Sequence, residues 1–197
     1  GIVNKFQSNT ISGSGDIIVV EADEFDRSFL TLQPTMGLIT NLDLEHLDCY
    51  ENLEDLQNAF TQFANAVPFY GKVGICIDHT NTATIIPNIK RPVVTFGIND
   101  EAEVKVSNLR YNQNHTAFDV SVENETLGEF RIHLPGKHNV LNALGAITLA
   151  IELDIPYENI QKGLDQYTGV RRRFEIKYIM DNGIIIVDDY AHHPSEV

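Results

Sequence analysis

The sequence predicts an α/β fold: a mostly parallel sheet flanked by helices, with a small antiparallel β-meander and the start of a second α/β domain at the carboxy terminus. Three observations point there. In the first half, short apolar runs alternate with helical patterns, as in sheets whose parallel strands are buried on both faces. From residue 104 strict apolar–polar alternation takes over, which marks strands that are wet on one side. Two helical patterns and a hairpin pattern then follow.

Residues 1–15 close on the turn-forming Ser12-Gly13-Ser14-Gly15. The aliphatic run Ile17–Val20 reads as a strand buried on both faces, and the carboxylates Glu21, Asp23, Glu24 and Asp26 follow at once. Gly37-Leu38-Ile39-Thr40-Asn41 reads as a second buried strand. A polar segment with Asp43, Glu45, His46 and Asp48 comes next. Over 51–66, Leu53, Leu56, Phe60 and Phe63 fall on one helical face, so an amphipathic helix is expected. Residues 72–77 and 92–96 are two more short apolar runs, separated by a short helical turn over 82–86 that Pro87 should end.

Val104 and Val106, then Phe118, Val120 and Val122, then Phe130, Ile132 and Leu134 each alternate with polar residues. Breaks at 112–114 and 123–125 make them a meander. Residues 139–153 are apolar nearly all round and predict a buried helix stopped by Asp154 and Pro156. A further helix is expected over 156–165. Residues 174–180 and 184–187, joined by Asp181-Asn182-Gly183, predict a hairpin. A domain boundary is expected near Gly169, giving a domain over 1–169 and the beginning of another over 170–197.

Composition excludes several function classes. The formal charge of −14 argues against a nucleic-acid partner, since phosphate backbones need a basic face. It would also repel a nucleotide, unless metal ions and a cationic patch such as Arg171-Arg172-Arg173 intervene. No apolar run approaches the ~18 residues of a membrane span, and residues 1–6 lack the pattern of a signal peptide. The chain does not begin with Met, so a fragment or a processed chain is expected. Cys49 and Cys76 have neither metal-ligand spacing nor the look of a disulfide framework, which predicts a reduced, cytoplasmic setting.

Three groups of residues can carry chemistry. Glu21 and His46 each follow an expected strand. Tips of neighbouring strands lie ~5 Å apart, so the two could share a metal cluster; Mg²⁺ takes one or two protein ligands and fills its shell with phosphate and water. Histidine is an unusual Mg²⁺ ligand, and a structural His46 is the alternative. In Pro135-Gly136-Lys137-His138-Asn139-Val140-Leu141-Asn142, Asn139 and Asn142 lie three apart at a helix start and share a face. Their carboxamides suit the edge of an adenine, although Asn139 could equally cap the helix. Third, the arginine triplet precedes Asp188-Asp189-Tyr190-Ala191-His192-His193-Pro194. Its paired histidines could hold a metal as in a hydrolase, or orient a substrate amine or nucleotide.

Together, Glu-Ala-Asp-Glu-Phe-Asp (21–26), Asn-Leu-Asp-Leu-Glu-His-Leu-Asp (41–48), the segment 135–142, Arg-Arg-Arg-Phe-Glu (171–175) and Asp-Asp-Tyr-Ala-His-His-Pro-Ser-Glu (188–196) resemble, in order and spacing, the motifs of the Mur ligases. The resemblance runs over essentially the whole chain, and its nearest branch is the alanine-adding one. It implies an ATP- and Mg²⁺-dependent ligase that joins L-alanine to UDP-N-acetylmuramate through an acyl phosphate in peptidoglycan synthesis. A recycling ligase that attaches a murein tripeptide, or a non-catalytic nucleotide-binding module, are the alternatives.

By position, the resemblance implies metal ligands at Glu21 and His46 and an adenine site at His138, Asn139 and Asn142. It implies a phosphate contact and catalytic role for Arg173, and a ribose contact at Asp189. Tyr190 and His192 would lie beside the incoming amino acid, His192 with a catalytic role. The family's Gly-Lys-Ser/Thr phosphate loop is missing: neither Gly71-Lys72 nor Gly136-Lys137 is followed by Ser or Thr. Family order would put that loop before Gly1, so the chain is expected to be a central piece that is inactive alone. The helix over 51–66 also lacks the lysine that sister ligases use as a carbamate, which fits the alanine-adding branch.

Overall fold

The computed structural model describes residues 1–43, 49–112, 114–123 and 125–191. Its contacts divide the chain into two compact units, residues 18–165 and residues 1–17 with 166–197.

The larger unit is built on one six-stranded sheet in the order β1-β2-β3-β4-β5-β6. The strands are β1 (Met36–Ile39), β2 (Lys72–Cys76), β3 (Val93–Gly97), β4 (Val104–Tyr111), β5 (Thr116–Val122) and β6 (Glu125–Ile132). β1 to β4 pair in parallel, and β4, β5 and β6 pair antiparallel. The expected parallel sheet and meander are therefore one continuous sheet, joined where Phe96 and Gly97 of β3 pair with Val104 and Lys105.

Side chains on a strand alternate between faces, and β2 shows the layering. Val73 and Ile75 pack with Phe29, Leu56 and Phe63 beneath helix α1 (Leu53–Ala66), whereas Cys76 packs with Phe96, Leu144 and Ile147 beneath helix α3 (Lys137–Glu152). The two helices thus cover opposite faces. α1 starts at the first apolar position, Leu53, two residues after the expected bound at 51, because Asn52 caps it: Oδ1 accepts from the Asp55 amide at 2.9 Å. Glu54 and Asp55 in the first turn complement the helix dipole. Asn52→Ala is expected to cost about 1 kcal/mol, read as a lower urea midpoint with unchanged m-value. Helix α4 (Tyr157–Asp165) lies on β6, where Tyr157 meets Phe130 edge-on at 5.1 Å between ring centroids.

Three expectations need correction. Ile17–Val20 forms no strand: the four side chains are 58–93% exposed, and nothing among the described residues pairs with them. An aliphatic run becomes a buried strand only where neighbours meet both its edges. This run instead crosses the division between the two units. The short helix α2 covers Thr80–Ala83, and Pro87 sits inside a following 3-10 turn (Ile86–Asn88), which tolerates a proline early in the turn. α3 is not buried all round, since His138, Asn142 and Ala146 form an exposed row along it.

In the smaller unit, Val3 bridges Ser8 and Val170, and the Arg171 amide donates to Ile2 O at 2.9 Å. The expected hairpin is present as β7 (Glu175–Ile179) and β8 (Ile185–Asp188), turning through Gly183 at φ 84°. Among the described residues no helix is long and apolar enough to cross a membrane.

Candidate functional site

In open α/β sheets ligands gather at the carboxyl ends of parallel strands, and several loops of the larger unit converge on that edge. Asp78 lies two residues past β2. Its Oδ1 accepts from the amides of Ile98 and Asn99, just past β3, at 2.9 and 3.0 Å. Gly97 makes room for this, because a Cβ there would collide with the Asp78 carboxylate. Asp78 Oδ2 is buried and has no hydrogen-bond partner among the described residues, and the Lys137 ammonium lies 3.6 Å away. The start of α3 therefore stands at the ends of β2 and β3. A cavity of about 310 Å³ there is lined by Asp78, Ile98, Asn99 and Lys137. The loop after β1 joins the same edge, as Asn81 Nδ2 of α2 donates to Leu42 O at 3.0 Å.

On α3, His138 and Asn142 are exposed, one turn apart. Asn139 is half-buried, and its Nδ2 donates to Pro135 O at 2.6 Å, so this amide is tied to the loop before the helix. The three candidate adenine residues are thus close together, with two of them presented outwards.

Glu21 is exposed and opens the acidic loop. The other carboxylates shape that loop: Asp23 Oδ1 accepts from the Phe25 amide at 3.0 Å, and Asp26 Oδ1 from the Ser28 amide at 2.9 Å. Hydrogen bonds from Ser28 hold the Asp26 carboxyl below the usual carboxylate range. Residues 44–48, and so His46, lie outside the described residues. The residues that follow them are held against the acidic loop, since Tyr50 Oη donates to Glu24 O at 2.6 Å. Among the described residues no three His, Cys, Asp or Glu side chains are grouped to hold a metal.

Arg27 binds this region together. Its Nε and Nη2 donate to Cys49 O at 3.2 and 2.9 Å, Nη2 also pairs with Asp55, and its guanidinium lies over the Tyr50 ring at 4.6 Å. The Arg27 hydrogen bond, followed by the Glu51 amide, holds the Asp55 carboxyl below its ordinary value. A depressed folded-state pKa gives stabilisation that is complete above the unfolded value of 3.8 and is lost as pH falls through the folded one. Asp55→Asn is therefore expected to lower the urea midpoint at neutral pH, with the gap to wild type closing as pH falls below 3.8 and through the lower folded-state value.

In the smaller unit the arginine triplet divides. Arg171 Nη2 donates to Gln7 Oε1, Arg172 sits 3.8 Å from Asp188 and over the Tyr190 ring at 4.7 Å, and Arg173 is exposed. Asp189 accepts from the Phe174 amide at 2.6 Å and the Ala191 amide at 2.7 Å. Tyr190 is exposed, with its amide donating to Arg172 O at 2.8 Å. His192 and His193 lie outside the described residues.

Sequence reasoning missed Asp78 and Arg27. Asp78 had the same signal as Glu21, a carboxylate just past an apolar run. Arg27 had none, because its partners Cys49, Tyr50 and Asp55 are more than twenty residues away.

Comparison with known proteins adds to this geometry. A profile of the Mur ligase middle domain matches residues 3–150. Over all 197 residues the chain is 48% identical to the UDP-N-acetylmuramate–L-alanine ligase of Salinibacter ruber and 46% identical to that of Chlorobium chlorochromatii. It covers 41% and 42% of those proteins, and so spans about two fifths of their length. Among solved structures, a UDP-N-acetylmuramate–alanine ligase from Thermotoga maritima aligns over 88% of this chain and 39% of its own, at TM-score 0.74 and 28% identity. MurF from Acinetobacter baumannii, at 23% identity and TM-score 0.74 over 88% of this chain and 38% of its own, shares the fold.

Proposed function

Because the chain belongs to the Mur ligase middle-domain family, we propose that it is the central part of an ATP- and Mg²⁺-dependent ligase that joins L-alanine to UDP-N-acetylmuramate in cytoplasmic peptidoglycan synthesis. The observation that carries this is its identity with ligases so named along its whole length. In this reading residues 1–169 form the nucleotide domain and 170–197 begin the amino-acid-binding domain.

The larger unit supports the nucleotide role. His138 and Asn142 are presented outwards from a helix that begins at the carboxyl edge of the sheet, and their polar edges suit a purine. Asn139, held to Pro135, fixes the loop before them. Glu21 is an exposed carboxylate, the kind of donor that suits a cation taking most of its shell from phosphate and water; His46 would be its companion. When bound, ATP and Mg²⁺ supply a transferable phosphoryl group and the positive charge that lets two anions approach. Arg173 adds cationic charge toward the phosphates. Asp189 shapes the turn at Tyr190, and a ribose contact would share its oxygens with the Phe174 and Ala191 amides; Tyr190 and His192 are the residues assigned to the incoming amino acid.

The test is an assay of the longer protein that contains this segment, with UDP-N-acetylmuramate, ATP and Mg²⁺. Alanine-dependent phosphate release is expected. Release with a murein tripeptide and none with alanine would favour the recycling ligase, and release with neither would favour a binding module. The 197 residues contain no Gly-Lys-Ser/Thr loop to cradle phosphates. Expressed alone, they are expected to release no phosphate from ATP above the buffer rate.

A further inference from the structure

The acidic loop follows an exposed aliphatic run that belongs to no sheet among the described residues, and Asp23 and Asp26 each accept from an amide two residues on. Arg27 ties the loop to the helix and the chain that precedes it. One guanidinium holds the Cys49 carbonyl through two nitrogens, pairs with Asp55 in the first turn of α1, and covers the ring of Tyr50. Tyr50, only 1% exposed, sends its hydroxyl back to Glu24 O. The loop is thereby closed onto the segment directly after residues 44–48, and onto α1.

Arg27 holds this position at φ 60°, a left-handed conformation that a residue with a Cβ adopts only where its surroundings impose it. Asp55 is fixed in turn by the Asn52 cap and the Glu51 amide, so the clamp ends on the frame of a fourteen-residue helix. Phe29, two residues on, packs against Phe60 and Phe63 of the same helix at 5.3 and 5.4 Å.

We propose that Arg27 is a positioning residue: its clamp on Cys49, Tyr50 and Asp55 sets the Glu21 loop against Tyr50 and the first turn of α1, so that Glu21 is held where it can serve a cation. This rests on the metal role assigned above to Glu21. Arg27 acts through the loop and not as a ligand. The consequence is specific: loosening the clamp weakens the use of Mg²⁺ more than the binding of alanine.

The experiment uses the full-length protein with Arg27→Met, Arg27→Lys and Glu21→Gln. In the metal-free protein, amide hydrogen exchange over 22–28 is expected to quicken about tenfold in Arg27→Met, as local opening becomes easier. The Mg²⁺ concentration for half-maximal rate is expected to rise about 10-fold or more, the usual scale for losing a support behind a metal ligand. KM for alanine should be unmoved. Arg27→Lys, which keeps the charge but not the two-nitrogen grip on Cys49 O, should fall between Arg27→Met and wild type, and it keeps the test open if Arg27→Met folds poorly. An Arg27→Met protein with a lower melting temperature but an unchanged Mg²⁺ requirement would overturn the proposal. If Glu21→Gln also leaves the Mg²⁺ requirement unchanged, it is the metal role of Glu21 that has failed, and the two failures are told apart by that variant.

Discussion

Glu21→Ala in the longer protein that contains this segment is expected to reduce the proposed turnover by about 10²–10³-fold or more, the scale seen when a group that stabilises developing charge is removed, while the urea midpoint stays within error of wild type. The side chain is exposed and lies outside both apolar clusters, so truncation leaves no cavity, and substitutions at such positions usually stay within about ±0.5 kcal/mol. The demand on it is electrostatic. In the proposed reaction a carboxylate substrate would meet a triphosphate, on a chain whose formal charge is already −14. A fixed cation would make that approach more favourable, and a fixed cation needs a fixed anionic ligand. Asp23→Ala is the contrast: it removes the acceptor for the Phe25 amide and should lower activity far less. Normal specific activity in a folded Glu21→Ala protein would remove the metal role.

Elements whose evidence lies within a few residues were legible in the sequence. The apolar stripe from Leu53 to Phe63 identified α1, and the alternation around Phe118 and Phe130 identified the meander. The same local logic failed at Ile17–Val20, because burial of an aliphatic run depends on partners that the run does not encode. It also gave α3 too little surface: the exposed row comprises only His138, Asn142 and Ala146, one of them apolar, which is too short to break the impression of a wholly buried helix. For the site, a carboxylate after an aliphatic run could be recognised at Glu21, but not what holds the loop it opens. Arg27 depends on Cys49, Tyr50 and Asp55, and Asp78 on Gly97, Ile98 and Asn99, all contacts made by the fold.

Phe96→Ala should have the largest effect on stability, a loss of about 3–5 kcal/mol. Phe96 is fully buried in β3, beside Cys76 of β2 and Val104 of β4, at the point where the parallel strands meet the antiparallel ones. Its ring also lies where α3 packs closely on the sheet: a Cβ on Gly145 would stand 3.1 Å from Phe96 Cζ and 3.1 Å from a Leu38 methyl. Removing the ring therefore empties the contact that seats α3, and the glycine opposite cannot fill it. Domains are stable by only about 5–15 kcal/mol, so the variant should unfold at a much lower urea concentration. Phe69, with 81% of its surface exposed, provides the control, and Phe69→Ala should stay within about 0.5 kcal/mol of wild type. The link to function runs through α3, whose first turn carries Lys137, His138 and Asn139 to the carboxyl edge of the sheet. In the full-length enzyme, below its unfolding range, Phe96→Ala should raise KM for ATP while leaving KM for alanine near its wild-type value. Equal shifts in both would mean that the seat of α3 on β3 does not set the nucleotide site.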